Sequence, residues 1–277
     1  MMLCSFAYPA FSQQVNHTED ASVTSNTTDR QRIQTNDDVT LTIDAEVNFD
    51  GASAAIVQAG RSGATIIINS GGSVINTDTS TNNSTVRAQS GTNATIINSG
   101  LIQGPNLYAI NIGNSTGATI TNNAGGIIIS KGQAVNGTVG GDSSDVTLTN
   151  NGAIYVTGSQ STINFTDNSN ATIINSGEIY RESGATTTTG SDQSTIILGS
   201  SSTLTNNGEI RNDASQTLNA IFLSGDGNTI ILKDEGIVTG LLTADAGTTG
   251  NKLQFDHGFG RTYFYETSGD FTLEDLS

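Results

Sequence analysis

One phrase recurs along the chain: an aliphatic or small residue, then Thr, Ile/Leu, Thr/Ile, Asn, Asn/Ser and Gly. It reads Ala94-Thr95-Ile96-Ile97-Asn98-Ser99-Gly100, Val146-Thr147-Leu148-Thr149-Asn150-Asn151-Gly152 and Ala171-Thr172-Ile173-Ile174-Asn175-Ser176-Gly177. Thr203-Leu204-Thr205-Asn206-Asn207-Gly208 repeats it, and looser copies begin at Val39, Ala64, Ala118 and Thr229. With copy starts at 39, 64, 94, 118, 146, 171, 202 and 229, the mean period is about 27 residues. A period of this length marks a solenoid, because one repeat cannot bury its apolar face alone and must stack on its neighbours. A second aliphatic follows the central Ile or Leu by six residues: Leu41 to Val47, Ile96 to Ile102, Leu148 to Ile154, Ile173 to Ile179, Leu204 to Ile210 and Ile231 to Ile237. A third apolar patch closes most periods, as in Ala109-Ile110-Asn111-Ile112-Gly113 and Ala220-Ile221-Phe222-Leu223. Three short strands and three turns per period predict an all-β chain folded as a right-handed parallel β-helix (β-solenoid) of about eight coils, stacked about 4.8 Å apart.

The alternation within each phrase sends one set of residues inward and leaves Thr outward, where a β-branched polar residue suits an exposed strand. The position two after the central aliphatic is Asn in five consecutive copies, Asn98, Asn122, Asn150, Asn175 and Asn206. Stacking predicts an amide ladder along the rod. The first two copies and the last carry Ile43, Ile68 and Lys233 there, as capping repeats would. The Asn/Ser-Gly that follows is expected to supply left-handed backbone at the corner. Length variation falls between the second and third strands, for example at 77–84 and 183–194, so loops are expected on one side.

Composition narrows the function classes. Asn, Ser, Thr and Gly (28, 30, 40 and 32 residues) make up nearly half of the 277-residue chain, and only 34% is hydrophobic. With 10 basic and 26 acidic residues the net charge is −16, and no Lys/Arg cluster is visible to meet a phosphate backbone, so no nucleic-acid partner is expected. The single cysteine, Cys4, permits neither a disulfide nor a Cys-based metal site. Residues 1–12 (Met1-Met2-Leu3-Cys4-Ser5-Phe6-Ala7-Tyr8-Pro9-Ala10-Phe11-Ser12) read as a signal-peptide remnant or, alternatively, a buried N-terminal strand. Residues 13–38 read as a polar lead or N-terminal cap, 39–247 as the β-helix, and 248–277 as an aromatic C-terminal cap or the start of a following region. That last segment holds six of the 15 aromatics, and a solenoid end needs covering.

On the repeated Thr-Ile/Leu-Thr/Ile-Asn-Asn/Ser-Gly phrases, the acidic rod lacking cysteine after Cys4, the export signal and the aromatic C-terminal segment, the chain from about Val39 to Asp270 resembles the passenger region of a bacterial autotransporter (type V secretion). The resemblance implies export through the periplasm to the outer-membrane surface, or release from it, and an outer-membrane β-barrel translocator as partner. No alternating membrane strands precede Leu273-Glu274-Asp275-Leu276-Ser277, so that barrel is expected on a missing C-terminal part or a separate chain.

Candidate chemistry is sparse. The only histidines are His17, in the polar lead, and His257, beside Asp256 in the aromatic segment, where a polar cap pair is expected. Gly141-Asp142-Ser143-Ser144 resembles the Gly-Asp-Ser-Gly signature of protease passengers but lacks its second Gly. Asp142, Asp145 and Asp167 fall in predicted loops. Glu178 and Glu209 occupy equivalent positions in adjacent copies, where an ion-pair reading, with Arg181 and Arg211, is favoured over a cation site. No catalytic residue, cofactor or metal is assigned. The expected function is non-enzymatic: adhesion, autoaggregation or cell-surface display, with host-surface glycans or proteins, or a second copy, as partner. The alternatives are an enzyme acting on extracellular polysaccharide and an inert stalk. A row of carboxylates beside exposed aromatics would favour the enzyme, and a bare Thr/Ser/Asn face would favour adhesion.

Overall fold

The computed structural model describes residues 13–34, 37–50, 57–59 (backbone only), 62–77, 84–104, 107–138, 143–182, 193–256 and 267–275. Among these there are thirty short strands and no α-helix. Every strand pairing is parallel, and the strands form three sheets of eleven, eleven and eight. We call them sheet I, beginning at Gln14–His17; sheet II, beginning at Ala21–Val23; and sheet III, beginning at Glu46–Phe49. One coil contributes one strand to each, as in Thr95–Asn98 (II), Leu101–Gly104 (III) and Tyr108–Asn111 (I). Eight complete coils run from Thr40 to Ala244, a parallel β-helix.

Alternation builds the core. In sheet II the strands read half-exposed, buried, half-exposed, buried, so Leu41, Ile66, Ile96, Ile120, Leu148, Ile173, Leu204 and Ile230 form one inner column at no more than 1% exposure. The second beat supplies Val47, Val74, Ile102, Ile128, Ile154, Ile179 and Ile210 to sheet III, and the third patch supplies Val86, Ile110, Val135, Ile163, Ile196 and Ile221 to sheet I. Each fully buried aliphatic contributes about 1.5–3 kcal/mol, which is why three short apolar beats per turn suffice.

The Asn ladder forms as the repeat predicts. Asn98 Nδ2 donates to Asn122 Oδ1, and so on through Asn150, Asn175 and Asn206, each bond 2.8 Å and each residue fully buried. The same amides donate to backbone carbonyls of the following corner, for example Asn150 to Gly152 O (3.2 Å) and Glu178 O (3.1 Å). Ile68 and Leu232 close the column at its ends. Leu232, not Lys233, is therefore the ladder's equivalent in the last coil: Thr203 pairs with Thr229 and Asn206 with Leu232. The same one-residue shift makes Val238 the inward partner of Ile210 and leaves Ile237 54% exposed, so the pairing of Ile231 with Ile237 read from spacing is corrected. A longer corner, Asp234-Glu235-Gly236, absorbs the difference.

The corner after sheet II is left-handed only in part, at Gly71 and Gly125 with φ of 93° and 82°. Gly100, Gly152, Gly177 and Gly208 do not have positive φ; a Cβ on Gly152 would instead run into the Gly126 carbonyl of the coil below and come within 2.6 Å of Asn123 O. Glycine serves close approach between coils there. A continuous left-handed column instead precedes sheet II, formed by Asp38, Gly63, Asn93, Gly117, Asp145, Asn170, Ser201, Gly227 and Gly250, with φ between 54° and 71°. From Asp38 to Gly227 each donates its N–H to a carbonyl one coil on, as Asn93 does to Thr116 O at 2.8 Å. Asp, Asn and Gly tolerate this conformation best.

The stack also extends beyond the repeat. Residues read as a polar lead carry the strands Gln14–His17, Ala21–Val23 and Arg30–Ile33, paired into sheets I and II. Past Ala244 come Lys252–Asp256, Thr267–Ser268 and Thr272–Asp275. Phe255 and Phe271 pack partly buried against the core, while Phe259, Tyr263, Phe264 and Tyr265 of the aromatic segment lie outside the described residues.

Candidate functional site

Sheet I is buried on both faces at Tyr108–Asn111 and Gln133–Asn136, so the broad outer surfaces are those of sheets II and III. On sheet II the first strand position is Thr in all eight complete coils: Thr40, Thr65, Thr95, Thr119, Thr147, Thr172, Thr203 and Thr229. The third position is either Thr (Thr42, Thr121, Thr149 and Thr205) or the larger β-branched Ile (Ile67, Ile97, Ile174 and Ile231). Sixteen half-exposed or exposed positions therefore carry only two residue types, both β-branched and uncharged. On a chain of net charge −16, that neutrality sets the face apart. Of its twelve threonines only Thr65 bonds its hydroxyl within the protein, at 3.5 Å to Gly63 O. The remaining hydroxyls face solvent.

Sheet III differs. Its outer columns run from Leu101 and Gln103 through Ile127 and Ile129 to Ala153 and Tyr155, then Glu178 and Tyr180, then Glu209 and Arg211. The Tyr155 and Tyr180 rings stack at 4.7 Å with 4° between planes, and the Arg211 guanidinium covers the other face of Tyr180 at 4.0 Å. Arg211 also bridges Glu178 (3.1 Å), Glu209 (2.7 Å) and Asp213 (2.7 Å). Burial, then the neighbouring Tyr155, push the Tyr180 hydroxyl up to about 12 against the opposing charge of Arg211. Carboxylates beside aromatics are thus present, but both ring faces of Tyr180 are covered and one guanidinium holds both glutamates. The arrangement ties three coils together and leaves no free carboxylate pair at Glu178 and Glu209 for acid–base work.

Other sequence candidates separate. Arg181 does not pair with Glu178: three residues along a strand it lies on the opposite face, fully buried, donating to the Gln193 carbonyl and to Ser159 O at 3.0 Å. Burial lowers its pKa. Ser143 is buried with its hydroxyl spent on Ile112 O (2.9 Å) and Gly137 O (2.8 Å), so it acts as a structural link between coils. Asp167 lies exposed on the strand Ile163–Ser169, not in a loop, and Asp145 is one of the left-handed corner residues, accepting from Asn170 Nδ2 at 3.2 Å. His17 sits in a paired strand with its Nε2 2.8 Å from Gln31 Oε1. Asp256 pairs with Lys233 at 3.3 Å, while Asp142 and His257 fall outside the described residues. Among the described residues no group of three or more His, Cys, Asp or Glu converges on a metal-sized site.

Two groupings went unread in the sequence. Tyr155, Tyr180 and Arg211 each follow a corner glycine (Gly152, Gly177, Gly208) by three residues, and that constant offset was the available signal. Arg30 and Arg32 share one strand, and Arg87, distant in sequence, joins their column of sheet I through Gln58, so coil stacking makes the basic cluster that linear inspection misses. Burial and the charges of Arg32 and Arg87 lower the pKa of Arg30. No family model, curated protein or solved structure matches the chain.

Proposed function

We propose that this chain is the passenger region of a bacterial autotransporter, exported through the periplasm to the outer-membrane surface or released from it, and that it works without catalysis as an adhesive or self-associating rod. The observation that carries this reading is the neutral Thr/Ile face of sheet II. Eight coils in strict register present eleven hydroxyls unbonded within the protein, on a rod otherwise strongly acidic. Such a face meets another surface side-on, with hydrogen-bond donors and acceptors at every coil and no charge to desolvate. The resemblance to autotransporter passengers supplies the secretion route and an outer-membrane β-barrel translocator as partner. Host-surface glycans or proteins, or a second copy, remain the classes of adhesive target.

The test is display of the chain on non-aggregating cells, beside a variant carrying Thr121→Lys and Thr149→Lys. Clumping, or binding to host cells or glycans, is expected for the first and lost in the second. No clumping and no binding by the unaltered chain rejects adhesion in favour of an inert stalk.

A further inference from the structure

The sheet II face repeats in two directions, and that regularity bears on what it meets. Along the rod, equivalent threonines recur every coil, at about 4.8 Å; across it, the first and third strand positions lie about 6.6 Å apart. Pairing is unshifted from Thr40 to Ile231, whereas sheet I carries register shifts at Phe165/Ser169 and Asn219/Ile221. Parallel sheets of this length ordinarily twist, and side-chain ladders are among the devices that hold them flat. The buried Asn98–Asn206 ladder, with four bonds of identical 2.8 Å length, lies directly beneath the face.

A folded protein partner has no translational repeat with which to meet such an array, and a nucleic acid needs cations the face lacks. A polysaccharide surface is met best through aromatic rings, and these columns hold none. A second copy would bring two chains of net charge −16 side by side. The charge-free, aromatic-free array instead matches a neutral, periodic surface made of hydroxyl-like groups. Resting on the adhesive reading above, we propose that the Thr/Ile face binds crystalline water: the rod adheres to ice. Oxygen rows on the prism faces of ice repeat at intervals close to those of the threonine array. β-branched side chains hold few χ1 states, so the hydroxyls and methyls stand in fixed rows and order first-shell water before contact. Ile67, Ile97, Ile174 and Ile231 keep the β-branch and the neutrality of threonine but replace the hydroxyl with a longer apolar arm, so the unbroken hydroxyl column is that of the first strand position.

The test grows ice slowly from a solution of the full chain and measures the protein taken into the solid, with crystalline chitin and cellulose pull-downs and sedimentation run in parallel. Thr121→Lys with Thr149→Lys alters the face, and Ile237→Lys places a lysine on the exposed edge of sheet III instead, half the added charge and off the face. Circular dichroism confirms that each variant folds. The expected result is incorporation of the unaltered chain and of Ile237→Lys, lost to background in the double variant. Incorporation of the unaltered chain no greater than that of an unrelated soluble protein overturns the proposal, as does equal incorporation of the double variant. Should ice incorporation be at background while face substitution abolishes cell clumping, chitin or cellulose retention, or self-association, ice is overturned and the adhesive reading stands. Should ice incorporation, clumping, self-association and binding to chitin, cellulose, host cells and glycans all be absent, both readings fall.

Discussion

Substituting Asn150 by alanine tests whether the buried ladder holds the coils together. Its Nδ2 donates to Asn175 Oδ1 at 2.8 Å, Glu178 O at 3.1 Å and Gly152 O at 3.2 Å; its Oδ1 accepts from Asn122 Nδ2 at 2.8 Å and from Gly152 N at 3.3 Å. After truncation, Asn122 Nδ2 keeps Gly126 O and Ala153 O. Asn175 Oδ1 and the Gly152 N–H lose the partners described for them. Two buried orphans at about 1–3 kcal/mol each give about 2–6 kcal/mol, and the void left by the amide adds to it. Asn206, at the end of the ladder, donates only to carbonyls, and its loss strands the Gly208 N–H alone, an expected cost of about 1–3 kcal/mol. Thr149, one residue away on the outer face, should change stability by no more than about 0.5 kcal/mol when replaced by alanine. Urea unfolding followed by far-ultraviolet circular dichroism gives the three values. Asn150→Ala within about 1 kcal/mol of Thr149→Ala, or no costlier than Asn206→Ala, would refute the ladder as a stabilising element.

Gly152→Ala should leave little folded protein on thermal unfolding, because its Cβ meets the Gly126 carbonyl of the coil below, whereas Gly125→Ala, at φ 82° with open space around it, should cost only about 1–2 kcal/mol. Arg181→Met should stay within about 1 kcal/mol of the unaltered chain, since it trades a buried guanidinium lacking a described carboxylate partner for apolar volume; Arg181→Ala should cost at least about 2 kcal/mol through the cavity, and equal losses in urea unfolding would contradict this. The Tyr180 hydroxyl, raised from 10.0 to about 12, favours the folded state while protonated. Its contribution is complete below pH 10.0 and fades as pH climbs towards 12, a loss that stability measured across this window should show and Tyr180→Phe should remove.

How much of this was legible beforehand differs by element. The Asn ladder and the inner Ile/Leu columns were readable because one residue type or class recurs at one offset. The left-handed column was hidden because Asp, Asn, Ser and Gly share the position, so no letter repeats although the backbone angle does. Arg181 was assigned to Glu178 by proximity in the chain, when alternation of faces along a strand already forbade it. Leu232 and Val238 were displaced by a single residue because the corner between them is two residues longer than the Asn-Asn/Ser-Gly corners, a length shared by the coils in which Val74 follows Ile66 and Ile128 follows Ile120 by eight residues.

The amino-acid order alone determined that the chain winds: periodic apolar beats must be buried, and one coil can bury them only against the next. Only the stacked structure decided which residues from different coils become neighbours, because loops of unequal length intervene between Tyr155, Tyr180 and Arg211 and between Arg32 and Arg87. The Thr/Ile face belongs to both levels. Its residue types are written in the repeat, but its continuity as a neutral surface exists only once eight coils hold one register.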